Sequence, residues 1–283
     1  MIGNNIFREF VENLPKVIDA HKRGSDIYNL LQKSLRKEIE LQFINDEKYR
    51  NLHPFGLIDF PYHKMGNVDT LNLFDLDELI IFSFYWMNKS KYKNVADLGA
   101  NLGLHSIILS KCGFNIRAYE PDGWHFSILE ENIKNNNCTN VELFNRAVSD
   151  HEGEVEFVRV LGNTTSSHIL GDKKPYGELE TIKVKTVKFQ EIIKWADLIK
   201  IDVEGHEVVL LTSTQTEDWD ETDAMIEISN EENGQKVFDF FNSINVDMYS
   251  QKKTWEKITS FEDMPTSYKE GTLFVSKRAK PFS

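Results

Sequence analysis

The feature that most constrains the fold of this chain is a change of hydrophobic pattern at Asn94. From this residue onward, short apolar runs alternate with amphipathic segments, which is typical of βα units around a parallel sheet. The runs predict strands at residues 94–98, 115–119, 141–145, 198–202 and 224–228. The intervening segments predict helices at about residues 102–111, 124–135, 206–212 and 233–242. Two further runs, at 246–250 and 271–276, can close the sheet as an antiparallel pair. An α/β protein with a Rossmann-like, doubly wound sheet is therefore expected.

Two parts of the chain fall outside this alternation. Apolar residues between 25 and 44 recur at helical spacing, and the run at 79–87 is predicted to be a buried helix. Residues 153–187 contain two β-rich stretches around a long polar loop, which predicts a β-rich insertion before the fourth strand. The chain is accordingly divided into an N-terminal helical extension, residues 1–90, and a main domain, residues 91–283. The extension is interpreted as a lid or as the surface of a homodimer.

The amino-acid composition narrows the classes of molecule that this chain is expected to bind. The sequence has 33 Lys and Arg against 45 Asp and Glu, a net charge of −12, which disfavours nucleic acid as a ligand. The longest apolar stretch is far shorter than the roughly 20 residues that cross a bilayer, so no membrane span is expected. The first residues lack the positive-then-apolar layout of a signal peptide, which favours a cytoplasmic protein. A small molecule or a glycan remains as the expected partner.

The segment VADLGANLG, residues 95–103, carries the first chemical signal. A buried strand ends at Asp97, Gly99 allows a tight turn, and Gly103 lies where the next helix begins. The unpaired N–H groups of that helix suit a carboxylate, and Asp97 suits an ammonium group. A ligand with both charges at one end is an amino acid, and S-adenosylmethionine is an amino acid fused to a nucleoside. Glu120, about 20 residues after the glycine turn, can accept hydrogen bonds from ribose hydroxyls.

A nicotinamide cofactor would also use a glycine turn followed by an acidic strand end. The spacing here is Gly-x-x-x-Gly, and His105 and Ser106 stand where a dinucleotide site has its third glycine. This difference favours the methyl donor, with S-adenosylhomocysteine as the product. An NAD-dependent oxidoreductase and a cofactor-binding protein without catalytic activity remain as alternatives.

The segment LIKIDVEGHE, residues 198–207, carries the second signal. Asp202, Glu204 and Glu207 place three carboxyl groups around one glycine at the end of a predicted strand, where open α/β sheets bind ligands. Crowded carboxyl groups suit a general base, and Asp202, Glu204 and His206 are the catalytic candidates. Glu207 has the competing interpretation of a helix cap. A metal-free site is predicted, with Mg²⁺ held by Asp202, Glu204 and Glu227 as the alternative.

Together these segments resemble the FkbM-type family of S-adenosylmethionine-dependent methyltransferases. The resemblance rests on VADLGANLGLHS, AYEPD, LFNRAVSD, GNTTSSH and LIKIDVEGHE, which follow one another in the family's order over residues 94–212. It implies a seven-strand Rossmann-like core and methyl transfer, usually to an oxygen of a sugar or secondary metabolite.

The resemblance also implies roles for single residues. The methionine part of the donor would be surrounded by Asp97, Gly99, Ala100, Asn101 and Gly103, with Leu104 and His105 beside them. Glu120 and Pro121 would lie at the ribose, and Asn145 and Ala147 at the adenine edge. The GNTTSSH loop would lie near the acceptor. The sequence departs from the family pattern at Phe189-Gln190 and at Thr212-Ser213.

Overall fold

The computed structural model describes residues 6–44, 48–65, 68–161, 167–172 and 177–283. Its helices are α1 (Ile6–Asn13), α2 (Asp26–Ile44), α3 (Leu76–Met87), α4 (Leu104–Cys112), α5 (Gly123–Asn135), α6 (Phe189–Ile193), α7 (Glu207–Thr212) and α8 (Glu231–Ser243). Its strands are β1 (Tyr49–Asn51), β2 (Leu57–Asp59), β3 (Asn94–Leu98), β4 (Asn115–Tyr119), β5 (Val141–Phe144), β6 (Ala147–Ser149), β7 (Gly153–Val160), β8 (His168–Ile169), β9 (Leu179–Lys188), β10 (Leu198–Ile201), β11 (Asp223–Ile226), β12 (Asp247–Ser250), β13 (Glu256–Lys257) and β14 (Leu273–Ser276). The predicted strands and helices of the main domain each lie within two residues of these bounds.

The central sheet has the order β13-β12-β14-β11-β10-β3-β4-β5. Strands β11, β10, β3, β4 and β5 run parallel, and β14 pairs antiparallel with both β11 and β12. The described residues thus give eight strands where seven are expected, because the two-residue strand β13 pairs with the edge of β12. The α/β, doubly wound fold is confirmed. The strand order reverses beside β3, so the carboxyl ends of β3 and β10 form the switch point at which such sheets bind ligands.

The N-terminal extension packs directly on this sheet. One hydrophobic cluster joins Phe7 of α1 and Leu35 of α2 to Ile80 of α3 and Ile108 of α4. The side chain of Asn136, after α5, also bonds both backbone groups of Asp59 in β2, at 2.9 and 2.8 Å. The extension therefore shares the core of the main domain. Within the described ranges, no helix is both long and apolar enough to cross a bilayer.

The predicted insertion forms a second sheet with the order β6-β9-β7-β8. Strands β7 and β9 pair antiparallel along their length, and Phe157 of β7 and Val184 of β9 form a hydrophobic cluster with Ala147 of β6. Residues 162–166 of the GNTTSSH segment lie outside the described residues. Ser167 and His168, which end that segment, are buried. Asp172 of the insertion lies 2.9 Å from His206, which follows β10, so the insertion is held beside the carboxyl end of the main sheet.

Candidate active site

A cavity of about 450 Å³ opens at the carboxyl ends of β3, β4, β10 and β11. This volume falls in the range of roughly 300–1,000 Å³ that is usual for small-molecule sites. The central sheet, the insertion and the N-terminal extension all contribute to its walls. Its lining Asp, Glu and Arg residues are Arg23, Asp75, Asp77, Glu78, Glu120, Asp122, Arg146, Asp202, Glu204 and Glu227.

The glycine turn after β3 forms one end of the cavity. Gly99 has a φ of +78°, and its N–H donates to the carbonyl of Tyr119 at 3.0 Å. A Cβ at this position would fall well inside van der Waals distance of the Asp202 carbonyl oxygen, so the turn and the end of β10 can meet only at a glycine. Asn101 follows with a φ of +51°, and its buried Oδ1 atom has no hydrogen-bond partner.

Glu120 joins this turn to the end of β4. One of its carboxylate oxygens accepts from the N–H of Asn101 at 2.8 Å, and the other accepts from the N–H of Asp122 at 2.8 Å. The residue is 5% exposed. Burial raises the pKa of Glu120 to about 8, although the two N–H groups oppose the shift. Glu120 therefore organises two segments of the cavity wall as well as facing the cavity itself.

Asp97 and Lys200 form a charged pair behind the glycine turn. Asp97 is fully buried, and its Oδ2 atom accepts from Ser106 at 2.6 Å. Its Oδ1 atom has no hydrogen-bond partner and lies 3.8 Å from the Lys200 ammonium. That ammonium also lies 3.2 Å from Asp202 Oδ2 and 3.4 Å from the Gly99 carbonyl. Burial alone would lower the pKa of Lys200, but the carboxylates of Asp202 and Asp97 raise it, so the side chain is a fixed positive charge.

The segments after β10 and β11 supply the acidic side of the cavity. Asp202, Glu204 and Glu227 all line it, and Glu204 has a left-handed φ of +54°. Burial and the carboxylates of Asp202 and Glu204 raise the pKa of Glu227 well above its usual value. Among the described residues, no group of three or more His, Cys, Asp or Glu side chains is arranged to hold a metal ion.

Glu207 has a structural role, although not as a cap of α7, which has no side-chain capping bond. The residue is fully buried, and its carboxylate accepts from the N–H groups of Gly205 and Ser229 at 3.0 and 2.8 Å. The side chain of Asn233 adds a third contact at 3.1 Å. Glu207 therefore fixes the loop that carries Asp202 and Glu204.

His206 lines the cavity with both of its ring nitrogens already engaged. Nδ1 lies 2.9 Å from Asp172 of the insertion, and Nε2 lies 3.1 Å from Ser149. A Cβ on Gly205 would lie 3.0 Å from the Cβ of Asp172, so the glycine allows these two residues to lie this close together. In this arrangement His206 ties the insertion to the loop, with Asp172 and Ser149 as the partners of its two ring nitrogens.

Eight of the fourteen predicted site residues line the cavity: Gly99, Asn101, Glu120, Pro121, Ala147, Asp202, Glu204 and His206. Asp97 lies directly behind the glycine turn, because the Lys200 ammonium lies near both Asp97 and the Gly99 carbonyl. Ala100 and Leu104 are buried in the hydrophobic core. Asn145 points its amide at the carbonyls of Glu120 and Pro121, at 2.9 and 3.2 Å, and so supports the turn after β4.

Gly103 and His105 do not line the cavity. A Cβ on Gly103 would collide with Leu129 of α5, so this glycine serves the packing of α4 against α5. His105 lies between Glu78 and Tyr85 of α3, at 2.8 and 3.1 Å. Burial acts to raise the pKa of Glu78, but the neighbouring His105 holds this pKa below its usual value.

Sequence reasoning missed the contribution of the extension to this cavity. Arg23, Asp75, Asp77 and Glu78 line it from the amino-terminal side, and Tyr268 lines it from a turn before β14. Three acids before the apolar run at 79–87 gave a partial signal, but acids at a helix start are usual without any ligand. The sequence gave no signal for Arg23 or Tyr268, because each is far in sequence from every motif.

The model of the methyltransferase FkbM domain matches residues 97–264, which is more than half of the chain. The chain belongs to the FkbM methyltransferase family. It is accordingly an S-adenosylmethionine-dependent methyltransferase, as the resemblance implied. Comparison of the sequence with curated proteins gave no match.

The chain aligns with parts of solved structures of other methyltransferases. The StiE O-MT structure is 15% identical with a TM-score of 0.33, and the alignment covers 58% of this chain and 49% of that one. Monomeric WbdD is 13% identical with a TM-score of 0.40, covering 71% and 40%. An O-methyltransferase from Bacillus cereus in complex with SAH is 12% identical with a TM-score of 0.37, covering 69% and 78%. The chain thus spans less than half of the StiE and WbdD structures, and likeness at this level assigns no acceptor.

The two departures of this FkbM methyltransferase from the family pattern contact one another. Gln190 of α6 donates from Nε2 to the carbonyl of Ser213 after α7, at 2.9 Å, and to Asp218 at 2.9 Å. Phe189 beside it is fully buried. None of these residues lines the cavity, so the departures concern the joining of two helices and leave the donor end unchanged.

Proposed function

We propose that this methyltransferase transfers a methyl group from S-adenosylmethionine to a hydroxyl of a sugar, glycan or related metabolite. The observation that carries the proposal is the row of carboxylates that lines the cavity beyond the glycine turn, with Asp202, Glu204 and Glu227 at the end of β10 and β11. Carboxylates accept hydrogen bonds from hydroxyl groups, and an acceptor with several hydroxyls can satisfy several of them.

The donor end has groups that fit S-adenosylmethionine. Asn101 Oδ1 is a buried oxygen without a hydrogen-bond partner, as expected where a ligand supplies an N–H or O–H group, and the Asp97 carboxylate lies behind the turn beside Lys200. Gly99 leaves the cavity wall without a side chain, and Glu120 presents a carboxylate for ribose hydroxyls. Ala147 and Val148 offer an apolar edge for a base. When bound, the donor supplies an electrophilic methyl group on a positively charged sulfur.

The protein's part in the transfer is alignment and removal of one proton. In an in-line displacement the acceptor oxygen bonds to the methyl carbon, the carbon–sulfur bond breaks, and its electron pair stays on sulfur. The hydroxyl proton passes to a carboxylate, and we assign this role to Asp202, with Glu204 beside it. Asp202 is suited because its side chain is 32% exposed and faces the cavity, while Lys200 holds one of its oxygens at 3.2 Å.

The alternative functions receive less support. A nicotinamide enzyme would need a third glycine in this turn, where the helix packs against the strand. The glycine at the start of the helix here, Gly103, packs against α5 instead. A binding protein without activity would not need Asp202 and Glu204 beside the donor end. Formation of a methylated product separates this last alternative from the proposal.

Asp202→Asn is expected to lower the turnover number by about 100-fold or more, the usual contribution of a general base. The affinity for S-adenosylhomocysteine is expected to stay within about threefold, because the amide keeps the shape of the side chain and Asp97 is unchanged. The measurement is transfer of a labelled methyl group to a panel of sugars, with mass spectrometry to locate the methyl ether, alongside calorimetric titration with the product. Asp239→Asn on the exposed face of α8 removes the same charge and serves as the control.

Equal loss of turnover and donor affinity in Asp202→Asn would contradict the assignment of Asp202 as base. A methyl group found on nitrogen, carbon or sulfur of every accepted compound would contradict O-methylation itself.

A further inference from the structure

Helix α2 of the N-terminal extension carries apolar side chains on two opposite faces. Tyr28, Leu35 and Ile39 are buried in the core that the extension shares with the central sheet. On the other side of the helix, four large apolar residues are between 48% and 69% exposed, and they are Ile27, Leu30, Leu41 and Ile44. We refer to these four residues as the outer stripe. Contact with a second surface would remove their side chains from water.

The outer stripe follows a heptad spacing. Its members occupy the first and fourth positions of the first and third heptads, and Ser34 and Lys37 occupy the same two positions of the heptad between them. Successive members of this row of six are three, four, three, four and three residues apart, which keeps the whole row on one side of the helix. The row extends over about 26 Å of helix. A second helix can lie along a row of this length, whereas a small ligand would cover only one end of it.

The row is complementary to itself when the second helix runs in the opposite direction. A two-fold axis that passes between residues 35 and 36 brings the apolar ends of the two rows together, with Ile27 opposite Ile44 of the copy and position 30 opposite position 41. The same axis places Ser34 opposite Lys37 of the copy, so the polar residues meet each other. In a parallel pair, each Lys37 would face its own copy, and the two like charges would repel one another.

The charges beside the row support the antiparallel arrangement. Lys33 and Glu40 lie seven residues apart on the same flank of the row, and both are exposed. This flank meets its own copy in an antiparallel pair, so Lys33 faces Glu40 of the copy, and the two-fold axis generates the contact twice. Within its own helix Glu40 is paired with Arg36 at 3.0 Å, yet its side chain is still 48% exposed and can receive a second cation.

We propose that the outer stripe is the interface of a homodimer, in which α2 packs antiparallel against α2 of a second copy of this chain. None of the six residues of the row is among those that line the cavity, so dimerisation does not use residues of the active site. A single pair of helices buries less surface than the roughly 1,200–2,000 Å² of a stable interface. The dimer is therefore expected to dissociate in the micromolar range.

Sedimentation velocity of the full chain between about 1 and 200 µM measures this equilibrium. We expect a dimer with a Kd of the order of micromolar. Leu30→Glu is expected to raise this Kd by at least about 20-fold, because it places a charge at both apolar ends of the interface. Leu170→Glu in the insertion replaces a leucine that is 52% exposed and lies outside α2. This control is expected to leave the Kd within about twofold of the wild-type value.

Exchange of the flanking charges tests the direction of the two helices. Lys33→Glu and Glu40→Lys are each expected to raise the Kd by about five- to tenfold, because like charges then meet twice. The double variant Lys33→Glu/Glu40→Lys restores opposite charges and is expected to return the Kd to within about twofold of the wild-type value. Circular dichroism and urea denaturation of each variant check that α2 is intact. In a parallel pair Lys33 would not face Glu40, and the double variant would show no such recovery.

A chain that stays monomeric at every concentration, a dimer that Leu30→Glu leaves intact, or a double charge exchange that recovers no affinity would each overturn the proposal. Flotation with vesicles of phosphatidylcholine and phosphatidylglycerol examines a different occupant of the same face. Binding of a monomeric chain to these vesicles, with loss of binding in Leu30→Glu, would assign the outer stripe to a lipid surface and would also overturn the homodimer.

Discussion

Gly99→Ala is expected to abolish detectable binding of S-adenosylhomocysteine and to lower the free energy of unfolding by about 3 to 5 kcal/mol. The added Cβ would overlap the backbone carbonyl of Asp202, which cannot rotate away as a side-chain end can. The backbone of Gly99 also has a φ of +78°, which costs a residue with a Cβ roughly 1–2 kcal/mol by itself. Relief of the overlap must move β3 and β10 apart at the point where the cavity opens.

Gly113→Ala separates these two contributions. Gly113 ends α4 with a φ of +92°, and a Cβ there would meet no atom within 4 Å. This variant is expected to lose only the conformational part, about 1–2 kcal/mol, and to bind the product normally. Urea denaturation and calorimetric titration measure both quantities. Equal effects of the two substitutions would show that the approach of Asp202 does not explain the glycine at position 99.

Glu120→Ala is expected to weaken binding of S-adenosylhomocysteine by about 100-fold or more and to destabilise the fold by about 2–4 kcal/mol. Removal of the carboxylate leaves the N–H groups of Asn101 and Asp122 without their acceptor, each at a cost of roughly 1–3 kcal/mol. It also removes the group that faces the ribose. Glu142→Ala, on the exposed edge strand β5, is the matched control and is expected to change neither quantity appreciably.

The pH dependence of stability gives Glu120 a further signature. Burial raises its pKa from 4.5 in the unfolded chain to about 8, so between these values the folded protein holds the proton more tightly. The contribution of Glu120 to stability is therefore full below pH 4.5 and falls as the pH rises through about 8. Comparison of wild type with Glu120→Ala by urea denaturation between pH 5 and 9 measures this difference. A gap between the two proteins that stays constant over this range would contradict a buried carboxyl group with a raised pKa.

Binding of the product is expected to change with pH in the opposite direction. Ribose hydroxyls donate to the ionised carboxylate, so affinity for S-adenosylhomocysteine is expected to rise with pH up to about 8, by at most tenfold per pH unit.

The sequence was sufficient to predict the parts of the fold that depend on local pattern. The apolar runs at 94–98 and 115–119 coincide with β3 and β4, because buried parallel strands require continuous apolar residues. Gly99, Glu120 and Asp202 could be placed together since parallel strands share one carboxyl edge. The β-rich character of the insertion was also evident from alternation in β7 and β9.

Features that depend on packing between distant segments could not be predicted in this way. The position of His105 follows from its contacts with Glu78 and Tyr85 on α3, which no motif near residue 105 indicates. His206 meets Asp172 across an insertion whose path is not encoded locally. Arg23 reaches the cavity only because the extension packs against the segment at Tyr268.

The binding preference of the purified full chain for S-adenosylhomocysteine over NAD⁺ tests the central claim most directly. Isothermal titration calorimetry with each ligand measures it, and thermal unfolding checks it, because a ligand at 100 times its Kd adds about 2.7 kcal/mol to stability. We expect saturable binding of S-adenosylhomocysteine with a rise in Tm of about 5 °C or more, and no response to NAD⁺. Binding of NAD⁺ alone, or binding of neither ligand, would contradict it.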